Sequence, residues 1–267
     1  MILTMTSMES RETHAEEFYR YESLDACLQH AIRLLTVQPG DLETIQCQIS
    51  YANLKSNPTF KAISYTWGTE DRDRRISING AVFLVRPNLH SVSHKTAEPT
   101  MPTIIWIDTI CVNQADLEER KHQVSLMSMT YSQAEGVIAW LGDDSDGALT
   151  SGINVAISEL VHSIAQLYLF PPHRENLTSY LSSFKSDFSP AAQTALLALS
   201  FRSYWSRTWI IQELNLARRR VLWFGSHGSM PFEPLRDWAG PHEVASRPFR
   251  HVLGSMSFKG LVLGVPP

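Results

Sequence analysis

From Ile45 onward, short runs rich in β-branched and aromatic residues alternate with stretches of helical periodicity. Strands that alternate with helices pack as βαβ units. The rhythm therefore predicts an α/β fold, a single domain with a mostly parallel central sheet flanked by helices. The strand runs are 45–51, 61–67, 75–78, 81–85, 103–112, 136–141 and 220–224. Runs 61–67, 103–108 and 136–141 read as strands covered on both faces and belong at the centre of the sheet. Runs 75–78 and 81–85 flank Asn79-Gly80, a dipeptide suited to a two-residue hairpin turn, and predict a small antiparallel decoration.

The clearest helix begins at Asp116, whose side chain can cap the first free amides while Glu119 reaches back as a capping box. Val124, Met127, Tyr131 and Ala134 follow at helical spacing and predict one buried face, and Gly136 ends the helix. A second helix is expected over 206–217. A third, over 154–169, stops at Pro171-Pro172 because proline cannot continue the hydrogen-bond ladder.

Charge and cysteine content narrow the setting. The net charge of −4 gives no electrostatic grip on nucleic acid. No apolar run approaches the ~18 residues of a membrane-spanning helix, and the first residues lack the basic flank and apolar region of a secretory signal. Cys27, Cys47 and Cys111 are odd in number and widely spaced, fitting neither a disulfide framework nor a Cys-x-x-Cys zinc site. The reading is a soluble cytoplasmic protein with free thiols. Neither a phosphate-binding glycine motif nor a Gly-x-Ser-x-Gly elbow is present.

In an open parallel sheet, ligands sit beyond the C-terminal ends of the strands. That rule places Trp67, Asp108, Asn113 and Gln114 around a cleft. Trp67 and Gly68 offer a stacking platform with close backbone approach, or else a core aromatic followed by a turn glycine. Asp108 either hydrogen-bonds a ligand there or caps the adjacent turn. Glu213 falls among Trp209, Ile210 and Ala217 on a helical face, so its carboxylate is buried. Such a carboxylate is either part of a functional site or paired with an arginine such as Arg202 or Arg207. Arg120 and Gln123 either contact a phosphate or lie on a solvated face. Cys111, between Ile110 and Val112, reads as a packed thiol. His90 and His94 share a helical spacing but have no third ligand in view, and 143–147 departs from a calcium loop at its first position. No metal is expected.

Several ordered blocks carry a resemblance. They are Ile32-Arg33-Leu34-Leu35 with Pro39-Gly40, then Ala62-Ile63-Ser64-Tyr65-Thr66-Trp67-Gly68, and Asn88-Leu89. Trp106-Ile107-Asp108-Thr109-Ile110-Cys111-Val112-Asn113-Gln114 follows, with Glu119-Arg120, Gln123-Val124, Met127, Tyr131, Ala134 and Trp140-Leu141-Gly142. The last block is Trp205-Ser206-Arg207-Thr208-Trp209-Ile210-Ile211-Gln212-Glu213. Over roughly 30–225 the chain resembles the fungal heterokaryon-incompatibility (HET) domain. The resemblance implies a polar segment at 1–29, a HET domain at 30–240 and a poorly structured tail at 241–267.

It implies self/non-self recognition and programmed cell death, a form of innate immunity that works through protein partners or self-association. It needs no cofactor. HET domains are regarded as similar to TIR domains, which have a flavodoxin-like fold, and some TIR domains cleave NAD with a helix-borne glutamate. Trp209 to Leu214 keeps the spacing of that Trp-Cys-x-x-Glu-Leu pattern, with Ile210 in place of cysteine and Arg207 where serine is usual. By this likeness Glu213 would be the catalytic carboxylate and NAD a possible substrate. Trp67, Gly68, Asp108, Asn113, Gln114, Arg207 and Trp209 would bind it.

Overall fold

The computed structural model describes residues 17–24, 29–40, 44–97, 101–143, 189–225, 228–232, 235–236 and 248–251. Nine strands form one sheet: β1 (Ala31–Val37), β2 (Ile45–Asn53), β3 (Lys61–Tyr65), β4 (Arg74–Ile78), β5 (Ala81–Val85), β6 (Thr103–Trp106), β7 (Val137–Trp140), β8 (Arg220–Phe224) and β9 (Gly228–Pro231). Their order is β5-β4-β2-β1-β6-β3-β7-β8-β9. The helices are α1 (Pro87–Ala97), α2 (Asp108–Cys111), α3 (Leu117–Gln133), α4 (Pro190–Ser200) and α5 (Ile210–Leu216).

β6, β3, β7 and β8 run parallel to one another, with Ala62 beside Trp106 and Tyr65 beside Trp140. The three runs expected at the centre therefore share one sheet. Outside this block only β2 and β4 pair in parallel, and the expectation of a mostly parallel sheet fails. β1 is antiparallel to both β2 and β6, β4 to β5, and β8 to β9, so the sheet is mixed. For the pairs other than β1 with β6, the reason is connection length. A parallel crossover needs a dozen or more residues, whereas β1 and β2, β4 and β5, and β8 and β9 are joined by links too short for anything but a hairpin. The Asn79-Gly80 turn forms as expected, with φ of 52° and 84°.

Two further expectations are corrected. The strand placed at 103–112 stops at Trp106. Asp108–Cys111 instead closes a helical turn, with the Cys111 amide donating to the Ile107 carbonyl at 2.8 Å. Ile110 and Cys111 are buried in either conformation, so apolarity did not distinguish a strand from a packed turn. The helix expected over 206–217 is interrupted. A 3₁₀ turn at Ser203–Ser206 gives way to extended backbone at Arg207 before α5 begins.

Asp116 caps α3 by accepting from the Glu118 and Glu119 amides, both at 3.0 Å. Glu119 does not complete the capping box. Its carboxylate takes the Arg33 guanidinium at 2.9 Å and the Asn113 amide at 2.6 Å. The buried stripe of α3 is Gln123, Leu126, Thr130 and Tyr131, with Ala134 just beyond the helix, while Val124 is 44% exposed. Arg33 is itself fully buried between Glu119, the Glu22 carbonyl and the ring of Tyr21. Residues 17–24 thus lie against the sheet, Tyr19 donating to the Val82 carbonyl at 2.9 Å and Tyr21 to that of Ile110 at 2.9 Å.

The expected helix at 154–169, residues 144–147 of the acidic loop, Cys27 and most of the 241–267 segment lie outside the described residues. No described helix is long and apolar enough to cross a membrane.

Candidate functional site

β6 ends at Trp106 beside Ala62 while β3 continues to Tyr65, and the segments that follow the two strands share a cavity wall with α3 and the start of α5. Between them lies a cavity of about 490 Å³. Its size suits a small-molecule ligand. Trp67, Gly68, Asp108, Gln114, Arg207, Trp209 and Glu213, all singled out in the sequence, line it. Asn113 does not reach it, because its side chain turns back to accept from the Ala115 amide at 3.2 Å.

Glu213 sits in the first turn of α5 with 1% of its surface exposed. Burying a carboxylate is costly unless it is paired and hydrogen-bonded. Both conditions hold. Arg207 grips it with two nitrogens, Nη2 to Oε1 at 3.0 Å and Nη1 to Oε2 at 3.2 Å. Ser64 donates to the same Oε2 and lies 2.6 Å from the Tyr204 hydroxyl. The interruption before α5 is what makes this possible. With Arg207 extended, its guanidinium folds back onto the helix that follows and stacks on the Tyr204 ring at 5.7 Å. Burial works most strongly against the Arg207 cation, but the adjacent Glu213 charge, Tyr204, the hydrogen bond to Glu213 and Tyr131 together outweigh it and hold the guanidinium protonated beyond its ordinary range. The carboxylate is thus both buried at the head of a cavity and locked in an ion pair.

Asp108 has a different setting. Its carboxylate accepts from the Trp67 indole at 3.1 and 3.3 Å and from the Thr109 hydroxyl at 3.1 Å. These partners are neutral. Burial, then the nearby Glu213 charge, push its carboxyl up from 3.8 to about 6, against the opposing pull of Arg207. Gln114 braces the same residue by donating to its backbone carbonyl at 2.9 Å. Gly68 has a φ of +77°, left-handed backbone that a side chain would strain. Trp209 is 51% exposed at the cavity mouth.

Gln123, weighed above against a solvated face, is 2% exposed and lines the cavity. Its amide nitrogen donates to the Ala31 carbonyl at 2.8 Å, while its Oε1 has no partner. Trp106 and Thr66 also line the cavity, while their Nε1 and Oγ1 atoms are buried and equally unpaired. Leaving such a group unsatisfied costs about 1–3 kcal/mol. Ser64 and Tyr204 were not singled out as site residues. Ser64 has one legible signal, a hydroxyl between Ile63 and Tyr65 in a strand read as covered on both faces.

Cys111 is wholly buried and its thiol is pushed up to about 12 by that burial, as a packed residue should be. Among the described residues, no group of three or more His, Cys, Asp or Glu side chains is placed to hold a metal.

Residues 60–213, more than half of the chain and all of the Ser64–Arg207–Glu213 network, match the family model "Heterokaryon incompatibility protein (HET)". The chain belongs to that family. It is similar to Heterokaryon incompatibility protein 6, OR allele, of Neurospora crassa, with 34% identity over 135 residues. The match covers 43% of this chain but only 20% of that relative, so the chain spans about a fifth of its length. No solved structure matches.

Proposed function

We propose that the chain is a signalling domain of fungal self/non-self recognition whose output is programmed cell death. It would act in the cytoplasm through protein partners or self-association. Family membership and the printed name of the Neurospora relative support this reading. The observation that ties it to particular residues is the buried Glu213–Arg207–Ser64 network at the head of a ligand-sized cavity, inside the segment that the family model matches. A structural ion pair alone would not need a cavity lined by a second carboxylate and three tryptophans.

A second reading is favoured by those two carboxylates. A TIR-like NAD glycohydrolase breaks the bond between the anomeric carbon of ribose and the nicotinamide nitrogen. The bond's electron pair leaves with nicotinamide, water adds to the cationic sugar, and one proton is released. Asp108 would accept a ribose hydroxyl, Glu213 would supply the fixed negative charge that the cationic sugar draws on, and Trp67 or Trp209 would stack on a base. The two readings are compatible, because cleavage of NAD would be one way to kill a cell.

The test is inducible expression in a fungal host beside a nicotinamide-release assay on purified protein, each with the wild type and Glu213→Gln. We expect wild-type expression to stop growth and Glu213→Gln, checked for folding by its melt, to spare it. Growth arrest without nicotinamide release would remove the second reading and leave the first. Equal toxicity of the two forms would sever the function from this cavity.

A further inference from the structure

We infer that residues 17–24 form a detachable brace that sets the Asp108 wall of the candidate site through two positioning residues, Tyr21 and Arg33. The inference rests on the reading of this cavity as the functional site and adds how its shape is controlled. It starts from α2, which is four residues long. A single helical turn is not stable by itself and keeps its shape only through what grips it. Its last carbonyls have no partner further along the helix. Two of them are taken from outside. The Tyr21 hydroxyl donates to the Ile110 carbonyl at 2.9 Å, and Arg33 Nη1 donates to that of Cys111 at 3.3 Å. Arg33 also holds the far side of the same loop. Two of its nitrogens grip Glu119, whose Oε1 accepts from the Asn113 amide at 2.6 Å. The stretch so fastened supplies Asp108, Val112 and Gln114 to the cavity, and Asp108 in turn holds Trp67.

The brace itself is lightly held. No residue of 17–24 is buried. Its backbone is tied to that of β5 at Val82, which bonds Glu17 at 2.8 Å and Tyr19 at 2.9 Å. Tyr19, Tyr21 and Phe83 meet edge to face, their centroids 5.1 to 6.2 Å apart. A segment with few buried contacts opens at a lower cost than the whole fold. Arg33 couples that opening to the site. Its side chain is fully buried, with the Tyr21 ring 5.0 Å from the guanidinium and the Glu22 carbonyl accepting from Nη2 at 2.6 Å. When 17–24 lifts away, Arg33 meets water, and its attraction to Glu119 weakens as the dielectric around the pair rises. The Ile110 carbonyl loses its donor in the same step.

The experiment measures, on the purified full chain, how fast the Trp67 indole proton exchanges with solvent, by nitrogen–proton correlation NMR. Loss of the signal in Trp67→Phe assigns it. Trp205, whose indole donates to the Leu199 carbonyl at 2.8 Å, is the internal reference for opening of the whole fold. Tyr21→Ala removes both the hydroxyl and the ring beside Arg33. It should speed exchange at Trp67 by at least about tenfold relative to Trp205. Tyr21→Phe keeps the ring and loses one hydrogen bond, so it should speed exchange roughly fivefold. That variant carries the test if Tyr21→Ala does not fold. A segment that merely stabilised the fold would move both indoles alike.

Exchange at Trp67 that is unchanged in a folded variant, or quickened no more than at Trp205, overturns the inference. Growth arrest in the fungal host, measured on the same variants, separates it from the functional reading. Faster exchange with loss of growth arrest supports both. Unchanged exchange beside growth arrest that depends on Glu213 would defeat this inference alone. Faster exchange with growth arrest intact would uphold the brace and defeat the reading of this cavity as the seat of function.

Discussion

Asp108 and Glu213 face one cavity, yet one is held by a guanidinium and the other by neutral donors, and their variants should differ accordingly. The folded Asp108 carboxyl titrates near 6 and its ordinary value is 3.8. Between those values the folded protein keeps a proton that the unfolded chain has released, so stability falls as pH rises from about 4 to 6. Asp108→Asn removes that loss. It should be more stable than wild type above pH 6, by on the order of 1–3 kcal/mol, with the gap closing on acidification to pH 4. Melts across this range are the check, and an Asn variant that melts lower at pH 7 would refute the assignment. For the ion pair, the burdens are unequal. Arg207 keeps 19% of its side chain exposed against 1% for Glu213. Arg207→Met strands a buried carboxylate and should cost about 3–5 kcal/mol. Glu213→Gln leaves a cation that can still reach water and should cost less. Denaturant unfolding of the two, compared at pH 7, tests the order.

At the scale of elements, the hairpin offers a clean measurement. Asn79 and Gly80 both have positive φ, and the Asn79 side chain accepts from the Ile49 amide at 3.0 Å. A Cβ on Gly80 would meet nothing within 4 Å. Gly80→Ala should therefore cost only the left-handed backbone penalty, about 1–2 kcal/mol, readable as a shift in the unfolding midpoint with unchanged slope. This hairpin was legible because its signal is local: the turn dipeptide and its flanking strands are neighbours in sequence. The parallel core was legible for the same kind of reason, since continuous apolar runs mark strands covered on both faces. β1 was not read as a strand because Arg33 interrupts its apolar run, and the partners that justify a buried arginine, Glu119 and the Glu22 carbonyl, are distant. The site divides in the same way. Glu213 and Asp108 stood out as carboxylates in apolar text. The pairing of Arg207 with Glu213 depends on a break in the helix that no residue type announces, and the burial of Gln123 depends on the distant Ala31 carbonyl that takes its amide.

For the whole molecule, the family match and the folded unit do not coincide. The match runs from 60 to 213, whereas β1, β2, β8 and β9 lie outside it and supply neighbours to β6, β4 and β7. A fragment cut to 60–213 would expose β6 and β7 as raw edges and detach the β4–β5 hairpin from the sheet. Calorimetry should find no cooperative transition in it, while the full chain melts with one. A single sharp transition in the fragment would disprove this dependence. The same interleaving sets a timetable for a chain made from its N-terminus. β3, which carries Ser64 and leads into Trp67, pairs only with β6 and β7, and Val137 is added 76 residues after Lys61. At ~5–20 residues per second of synthesis, that is a wait of roughly 4–15 s. The β1–β2 hairpin can close early, but the apolar strand that builds the site lacks at least one of its two partners on the ribosome through that interval and keeps an edge open to capture by chaperones. If the proposed cell-death output holds, the chain would gain from that delay, since nothing can be triggered until nearly the whole sheet is assembled.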